Sequence, residues 1–166
     1  MNSFKRPRGN VVTRPSLGVD LKTDAGRSEE FRQGSRECLH CAKSLHKQSP
    51  HLRGEYILAF HAIELALKAF LAKRGLSNAA LARSPYSHNL VKLCAEARAQ
   101  GLRLTVHNAD ALIEWINEYH DEGAAIRYKF AEQTEIPNCT TLFPIAEEIL
   151  TASKYNAPPL QSALVR

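Results

Sequence analysis

The sequence predicts an all-α protein, an up-and-down bundle of four helices with one additional helix at the C-terminus. Apolar residues recur at three- and four-residue spacing through most of the chain from residue 25 to residue 155, without the period-two alternation of a half-buried strand. Proline, glycine and capping residues divide this pattern into helical lengths, and their short connections place consecutive helices antiparallel. A chain of 166 residues is long enough for one domain with a substantial core.

The predicted bundle is organised around a central helix that starts at His51 or Leu52 and ends at Gly75. Its alanines, leucines and lysines favour a helix, and Gly75 follows Lys73 and Arg74 as a C-terminal signal. Apolar residues cover nearly its whole circumference, so we expect it to be buried against several neighbours. One stripe along it consists of large apolar residues: Tyr56, Phe60, Ile63, Leu67, Phe70 and Leu71.

Three ionisable residues, His61, Glu64 and Lys68, interrupt this apolar surface on one flank of the central helix. Glu64 and Lys68 stand four residues apart, in the order that favours an ion pair. Two interpretations stay open. Either the pair is half-solvated at the surface and contributes little to stability, or these residues line a cleft or a subunit seam.

Four further helices are predicted around the central one. Ser49 and Pro50 close the first, because the residue before a proline is disfavoured in the α conformation. Ser87 is the expected N-cap of the third and Asn108 that of the fourth, and Pro144 is expected in the first turn of the last helix. The predicted ranges are about Ala25 to Lys47, Ser87 to Gly101, Asn108 to Glu122 and Thr141 to Tyr155, with a brief helical turn within residues 76–87.

The two ends of the chain lack a core-forming pattern. Residues 1–24 are expected to form a disordered basic tail, and residues 156–166 a frayed C-terminal tail. Five basic residues and one acidic residue lie in residues 1–22, so this segment carries most of the net charge of +5. The domain between the tails is nearly neutral, which disfavours a folded duplex-DNA-binding face. With no transmembrane span and no secretory signal, we expect a cytoplasmic protein without membrane contacts.

The four cysteines are expected to be reduced thiols, because the sequence has no secretion signal. Cys38 and Cys41 have the spacing of a metal-binding pair. A structural zinc site normally needs a second pair of ligands, and none stands at a suitable spacing. We therefore expect buried or half-buried helix cysteines, with a metal site at this pair as the alternative.

Two segments share the pattern of a known family. The first, FHAIELALKAFLA at residues 60–72, has its glutamate and lysine four residues apart, and the second is SHNLVKL at residues 87–93. Together they resemble the HEPN family of helical domains, which are found mainly in prokaryotes. Arg127-Tyr128 is similar to an Arg-Tyr-Pro element that many members carry near the last helix. The resemblance covers residues 25–155.

The resemblance implies an up-and-down helical bundle that often forms homodimers. Many members are metal-independent endoribonucleases of toxin–antitoxin, phage-defence and RNA-processing systems. Others bind RNA or nucleotides without catalysis. The catalytic members carry Arg-x(4–6)-His across a dimer seam, where the histidine acts as general acid or base and the arginine stabilises charge on the phosphate.

This chain departs from the catalytic pattern, because residues 132–134, where a histidine would follow Arg127, are glutamate, glutamine and threonine. We therefore expect a non-catalytic HEPN-like module, a homodimer that binds a nucleotide, RNA or a protein partner such as an antitoxin. The alternative is a metal-independent endoribonuclease that uses His88 and Arg127 as its catalytic pair.

The expected ligand-binding residues are Glu64, Lys68 and Tyr128, and we expect the first two to share a site with His88 and Arg127. No metal ligand and no cofactor are expected. His120, which precedes two acidic residues, is interpreted as a solvated helix end.

Overall fold

A computed structural model describes residues 18–120 and 135–155, and the regular structure in these ranges is helical throughout. The prediction of an all-α fold is confirmed for this part of the chain. Within the described ranges, no helix is both long enough and apolar enough to cross a membrane. The helices are α1 (Asp24–Gln48), α2 (Arg53–Ala72), α3 (Asn78–Leu81), α4 (Leu90–Ala99), α5 (Ala109–His120) and α6 (Cys139–Ala152).

The central helix of the fold is α2, which contacts α1, α4, α5 and α6. All six residues of the predicted apolar stripe are at most 1% exposed, so the predicted buried face is confirmed. The other sides of α2 are rich in alanine, and small side chains let neighbouring helices approach closely. The buried alanines are Ala59, Ala62, Ala66, Ala69 and Ala72.

The closest neighbour of α2 is α1, and two buried serines join them. Ser28 Oγ donates to the carbonyl oxygen of Ala69 at 2.8 Å, and Ser35 Oγ donates to that of Ala62 at 2.7 Å. The second serine lies seven residues after the first in α1, whereas its acceptor lies seven residues before the first acceptor in α2. The two helices are therefore antiparallel. Because each serine hydroxyl finds an acceptor, its burial carries little penalty.

The start of α1 is capped by Thr23. Its Oγ1 accepts from the backbone N–H of Gly26 at 3.0 Å and donates to the carbonyl oxygen of Asp20 at 2.8 Å. This turn lies inside the segment predicted as a disordered tail, residues 1–24. Residues 1–17 of that tail, and the predicted C-terminal tail at 156–166, lie outside the described residues.

The turn between α1 and α2 is held by a buried carboxylate, Glu55, whose side chain is 0% exposed. His46 Nδ1 lies 2.8 Å from one carboxylate oxygen, and the backbone N–H of His51 donates to the other at 2.9 Å. The Cys139 thiol is a third partner, and burial together with this hydrogen bond raises its pKa above the usual range. We call these four residues the Glu55 cluster. It connects both sides of the turn to the start of α6.

The start of α4 differs from the prediction. Ser87 has a φ of 20° and lies in the preceding loop, so it does not cap the helix. Asn89 is the N-cap instead, and its side chain accepts from the backbone N–H of Lys92 at 2.8 Å. His88 therefore belongs to the loop, which leaves its ring free to turn toward α2.

The start of α6 also differs. Asn138 caps the helix through the backbone N–H of Thr140, so α6 begins at Cys139, two residues before the predicted Thr141. Pro144 consequently lies inside the helix, in its second turn, and not in the first turn as predicted. It removes one intrahelical hydrogen bond there.

Candidate functional site

The middle of α2 carries a polar cluster centred on Glu64, whose side chain is 1% exposed. Lys68 Nζ donates to Oε1 of this carboxylate at 2.5 Å. Three histidine nitrogens surround the other oxygen, Oε2: His120 Nε2 at 2.6 Å, His88 Nδ1 at 3.2 Å and His61 Nδ1 at 3.5 Å. We call these five residues the Glu64 cluster.

Helix geometry explains three members of the cluster. His61 and Lys68 stand three residues before and four residues after Glu64, so all three side chains share one side of α2. This is the flank on which the apolar surface of the helix is interrupted. The alternative of a half-solvated surface pair is wrong, because both Glu64 and Lys68 are buried.

The other two members come from α5 and from the loop before α4. His120 is the last residue of α5, and its ring contacts that of Phe60 edge-on, with centroids 6.2 Å apart. Asn117 Oδ1 accepts from the backbone N–H of Leu90 at 2.6 Å, which ties α5 to the start of α4. This contact helps to bring His88 to His120, and their ring centroids are 6.1 Å apart.

The electrostatics of the cluster favour an ionised carboxylate. Burial alone would raise the pKa of Glu64. Hydrogen bonds from His120, His61 and Lys68, together with the charge of Lys68, outweigh burial and hold this pKa well below its usual range. Glu64 is therefore a fixed negative centre whose desolvation is offset by the donors around it.

One side of the cluster is open. The side chains of His61 and His88 are 44% and 58% exposed, whereas those of Lys68 and His120 are 9% and 12% exposed. Nδ1 of each exposed ring faces Glu64, and among the described residues its Nε2 has no hydrogen-bond partner, so this nitrogen is available to a ligand. That nitrogen is an acceptor in a neutral ring and a donor in a protonated one. The neutral ring can take up a proton, and the protonated ring can bind an anion.

Among the residues predicted to share a site, the structure brings Glu64, Lys68 and His88 together. Arg127 and Tyr128 lie outside the described residues. The interpretation of His120 as a solvated helix end is wrong, since its ring is mostly buried against Glu64.

His120 is not identified by the large apolar residues of α5, because the most buried side of this helix is rotated away from them by part of a turn. The large apolar residues Leu112, Trp115, Ile116 and Tyr119 share one side of α5 and suggest its inner face, but only Ile116 of these is buried. The buried residues are Ala109, Ile113 and Ile116, and His120 continues their spacing of four, three and four residues. That spacing is the signal in the sequence that identifies His120 as an inward residue.

The four cysteines are free thiols, as predicted. Cys41 is exposed, however, so the expectation of buried or half-buried cysteines is wrong for this residue. Burial is the main reason that the pKa of the half-buried Cys38 thiol is raised, and nearby Cys41, Glu37 and Glu64 raise it further. A thiol in this setting is a poor nucleophile and a poor metal ligand, because both roles need the thiolate.

The Glu64 cluster thus combines one ionised carboxylate, one ammonium group and three imidazoles, two of them exposed. Such an arrangement can bind an anion, move a proton or hold a metal ion. Comparison of the chain with protein-family models, with curated proteins and with solved structures finds no match.

Proposed function

We propose that this protein is a HEPN-like up-and-down helical bundle that binds phosphate groups of RNA or a nucleotide at the Glu64 cluster, as a homodimer and without cleaving its ligand. The observation that carries the proposal is the pair of half-exposed imidazoles held by a buried carboxylate. The resemblance supports it, because residues 60–72 and 87–93 contribute four of the five cluster residues.

The charges in the cluster determine where a phosphate group would lie. Lys68 neutralises Glu64 on the buried side, so the outer surface is not dominated by the negative charge. An imidazolium at either exposed histidine would offer an Nε2–H donor to a phosphate oxygen, and such charge-assisted hydrogen bonds are among the stronger ones in proteins. Glu64 holds the opposite side of each ring and so orients it. Tyr128 remains a predicted ligand-binding residue, and Arg127 is still predicted to share the site, because both lie outside the described residues.

The homodimer is proposed from the surface around His61. Ile57, Leu58 and Leu65 are only half-buried, and their spacing places them on the same side of α2 as His61. A second copy of the chain would cover these apolar side chains and place two Glu64 clusters near one seam. We expect sedimentation velocity to show a dimer at micromolar concentration.

Binding is tested with a fluorescently labelled single-stranded RNA of mixed sequence and with ATP as competitor, at low salt and in EDTA. The His61→Ala/His88→Ala double variant is expected to bind at least about tenfold more weakly, because it loses two charge-assisted hydrogen bonds. Fluorescence anisotropy measures the affinity.

His107→Ala is the matched control, since His107 is exposed and lies outside the cluster. Circular dichroism should show that both proteins keep their helices. An unchanged affinity in the double variant, or no binding of either probe by the wild-type chain, would contradict the proposal.

A metal-independent endoribonuclease is the second candidate, and one observation favours it. His88 and His120 both contact Oε2 of Glu64, so two imidazoles share one site, as paired general acid and base catalysis requires. In this case, incubation of the wild-type protein with RNA in EDTA should give cleavage products, and His88→Ala should abolish them while His107→Ala does not. Intact RNA after incubation with the wild-type protein would exclude this candidate.

A further inference from the structure

Three members of the Glu64 cluster present metal-ligating atoms to a common point. His61 Nδ1, a Glu64 carboxylate oxygen and His120 Nε2 all lie within 4.8 Å of one another. Two of these side chains come from adjacent turns of α2 and the third from the end of α5, so the packing of two helices fixes their relative positions. Sequence reasoning predicted no metal ligand among them.

We propose that His61, Glu64 and His120 bind one divalent transition-metal ion of the zinc class. Zinc lies about 2.0–2.2 Å from nitrogen and oxygen ligands, which puts neighbouring ligand atoms about 3.3 Å apart around a tetrahedron. Glu64 Oε2 is 2.6 Å from His120 Nε2 and 3.5 Å from His61 Nδ1, values on either side of that spacing. To seat the ion, His120 Nε2 has to move away from Oε2 and His61 Nδ1 slightly toward it.

The donor set selects the class of ion. Two imidazoles and one carboxylate suit Zn²⁺, Co²⁺ or Ni²⁺, whereas Mg²⁺ and Ca²⁺ prefer oxygen ligands alone. Lys68 donates a hydrogen bond to the other carboxylate oxygen, Oε1. It would thus orient Glu64 in the way that hydrogen-bond partners outside the coordination sphere orient a metal-binding carboxylate. Three protein ligands leave the fourth tetrahedral position for water.

This ion would replace a hydrogen-bond network with coordination bonds. Each ligating ring nitrogen must present its lone pair, so the proton on that nitrogen moves to the other nitrogen or to solvent when the metal binds. The inference goes beyond the proposed function, because neither RNA nor a nucleotide takes part.

Direct binding measurements test the proposal. The untagged full-length chain is stripped with EDTA, freed of the chelator and titrated with Zn²⁺ by isothermal titration calorimetry. We expect one ion per chain, and at least about tenfold weaker binding for His61→Ala, a change at a half-exposed position that does not threaten the fold. His107→Ala should bind Zn²⁺ like the wild-type chain. His120→Ala, if it folds, should lose as much affinity as His61→Ala.

Cobalt distinguishes this site from the cysteine pair in α1. Co²⁺ bound by nitrogen and oxygen ligands gives visible absorption bands but no thiolate charge-transfer band in the near ultraviolet, and Cys41→Ser should not change the spectrum. Zn²⁺ affinity that is unaffected by His61→Ala, the absence of one-to-one binding, or a thiolate band that Cys41→Ser removes would overturn the proposal. Because no RNA is present, such a failure leaves the phosphate-binding proposal to its own test.

Discussion

Replacing Glu64 with leucine is expected to lower the free energy of unfolding by about 3–5 kcal/mol, because it leaves a buried ammonium group without its partner. The side chain of Lys68 is 9% exposed, and its Nζ donates to Glu64 Oε1. His120 loses its acceptor in the same variant. Urea denaturation in an EDTA-containing buffer measures the loss.

The double variant Glu64→Leu/Lys68→Met distinguishes the cost of leaving Lys68 without its ion-pair partner from the cost of changed side-chain packing. Methionine is close to lysine in length and needs no counter-ion, and a buried ion pair can often be replaced by apolar residues at little cost. The double variant should therefore be more stable than Glu64→Leu alone. A single variant that loses less than about 1 kcal/mol, or a double variant less stable than the single one, would show that the pair is not held as we describe.

Replacing Phe60 with alanine is expected to cost about 3–5 kcal/mol, because the ring is 0% exposed and its removal leaves a cavity in the core. The ring also contacts Tyr56 and His120 edge-on, with centroids 6.2 Å away in both cases. Loss of this contact should loosen His120 as well as the core. Guanidinium denaturation gives the stability.

Leu58→Ala is the matched control for Phe60→Ala. Leu58 lies on the same helix but is only half-buried, so its truncation should cost clearly less. Equal losses at the two positions, or a loss below about 1 kcal/mol at Phe60, would mean that the buried face of α2 is misassigned.

Local pattern was sufficient to predict the central part of the fold. The stripe from Tyr56 to Leu71 is long, strongly periodic and free of proline, and its burial follows from the pattern alone. The helical turn predicted after Gly75 is present as α3, Asn78–Leu81. Helix starts were less predictable, since Ser87 and Asn89 are both good N-caps and the sequence does not show which one the loop places in position.

The candidate site was only partly predictable, for a similar reason. Glu64 and Lys68 are neighbours within one helix, so their spacing alone brings them together. His120 stands 56 residues after Glu64, and its contact depends on how α5 is rotated against α2. The Glu55 cluster brings together residues from three separate segments. One of its hydrogen bonds comes from a backbone N–H, and a backbone donor cannot be predicted from the types of residue in the sequence.

The two buried carboxylates of α2 also restrict how this helix can sit among its neighbours. Nine residues separate Glu55 from Glu64, so their side chains leave the helix about half a turn apart, on opposite sides. A helix that is apolar nearly all round could otherwise rotate or slide with little loss of buried area. One carboxylate meets His46 and Cys139, whereas the other meets His88 and His120, which belong to the loop before α4 and to α5. Because these partners lie on opposite sides of α2, they hold the helix against both rotation about its axis and sliding along it.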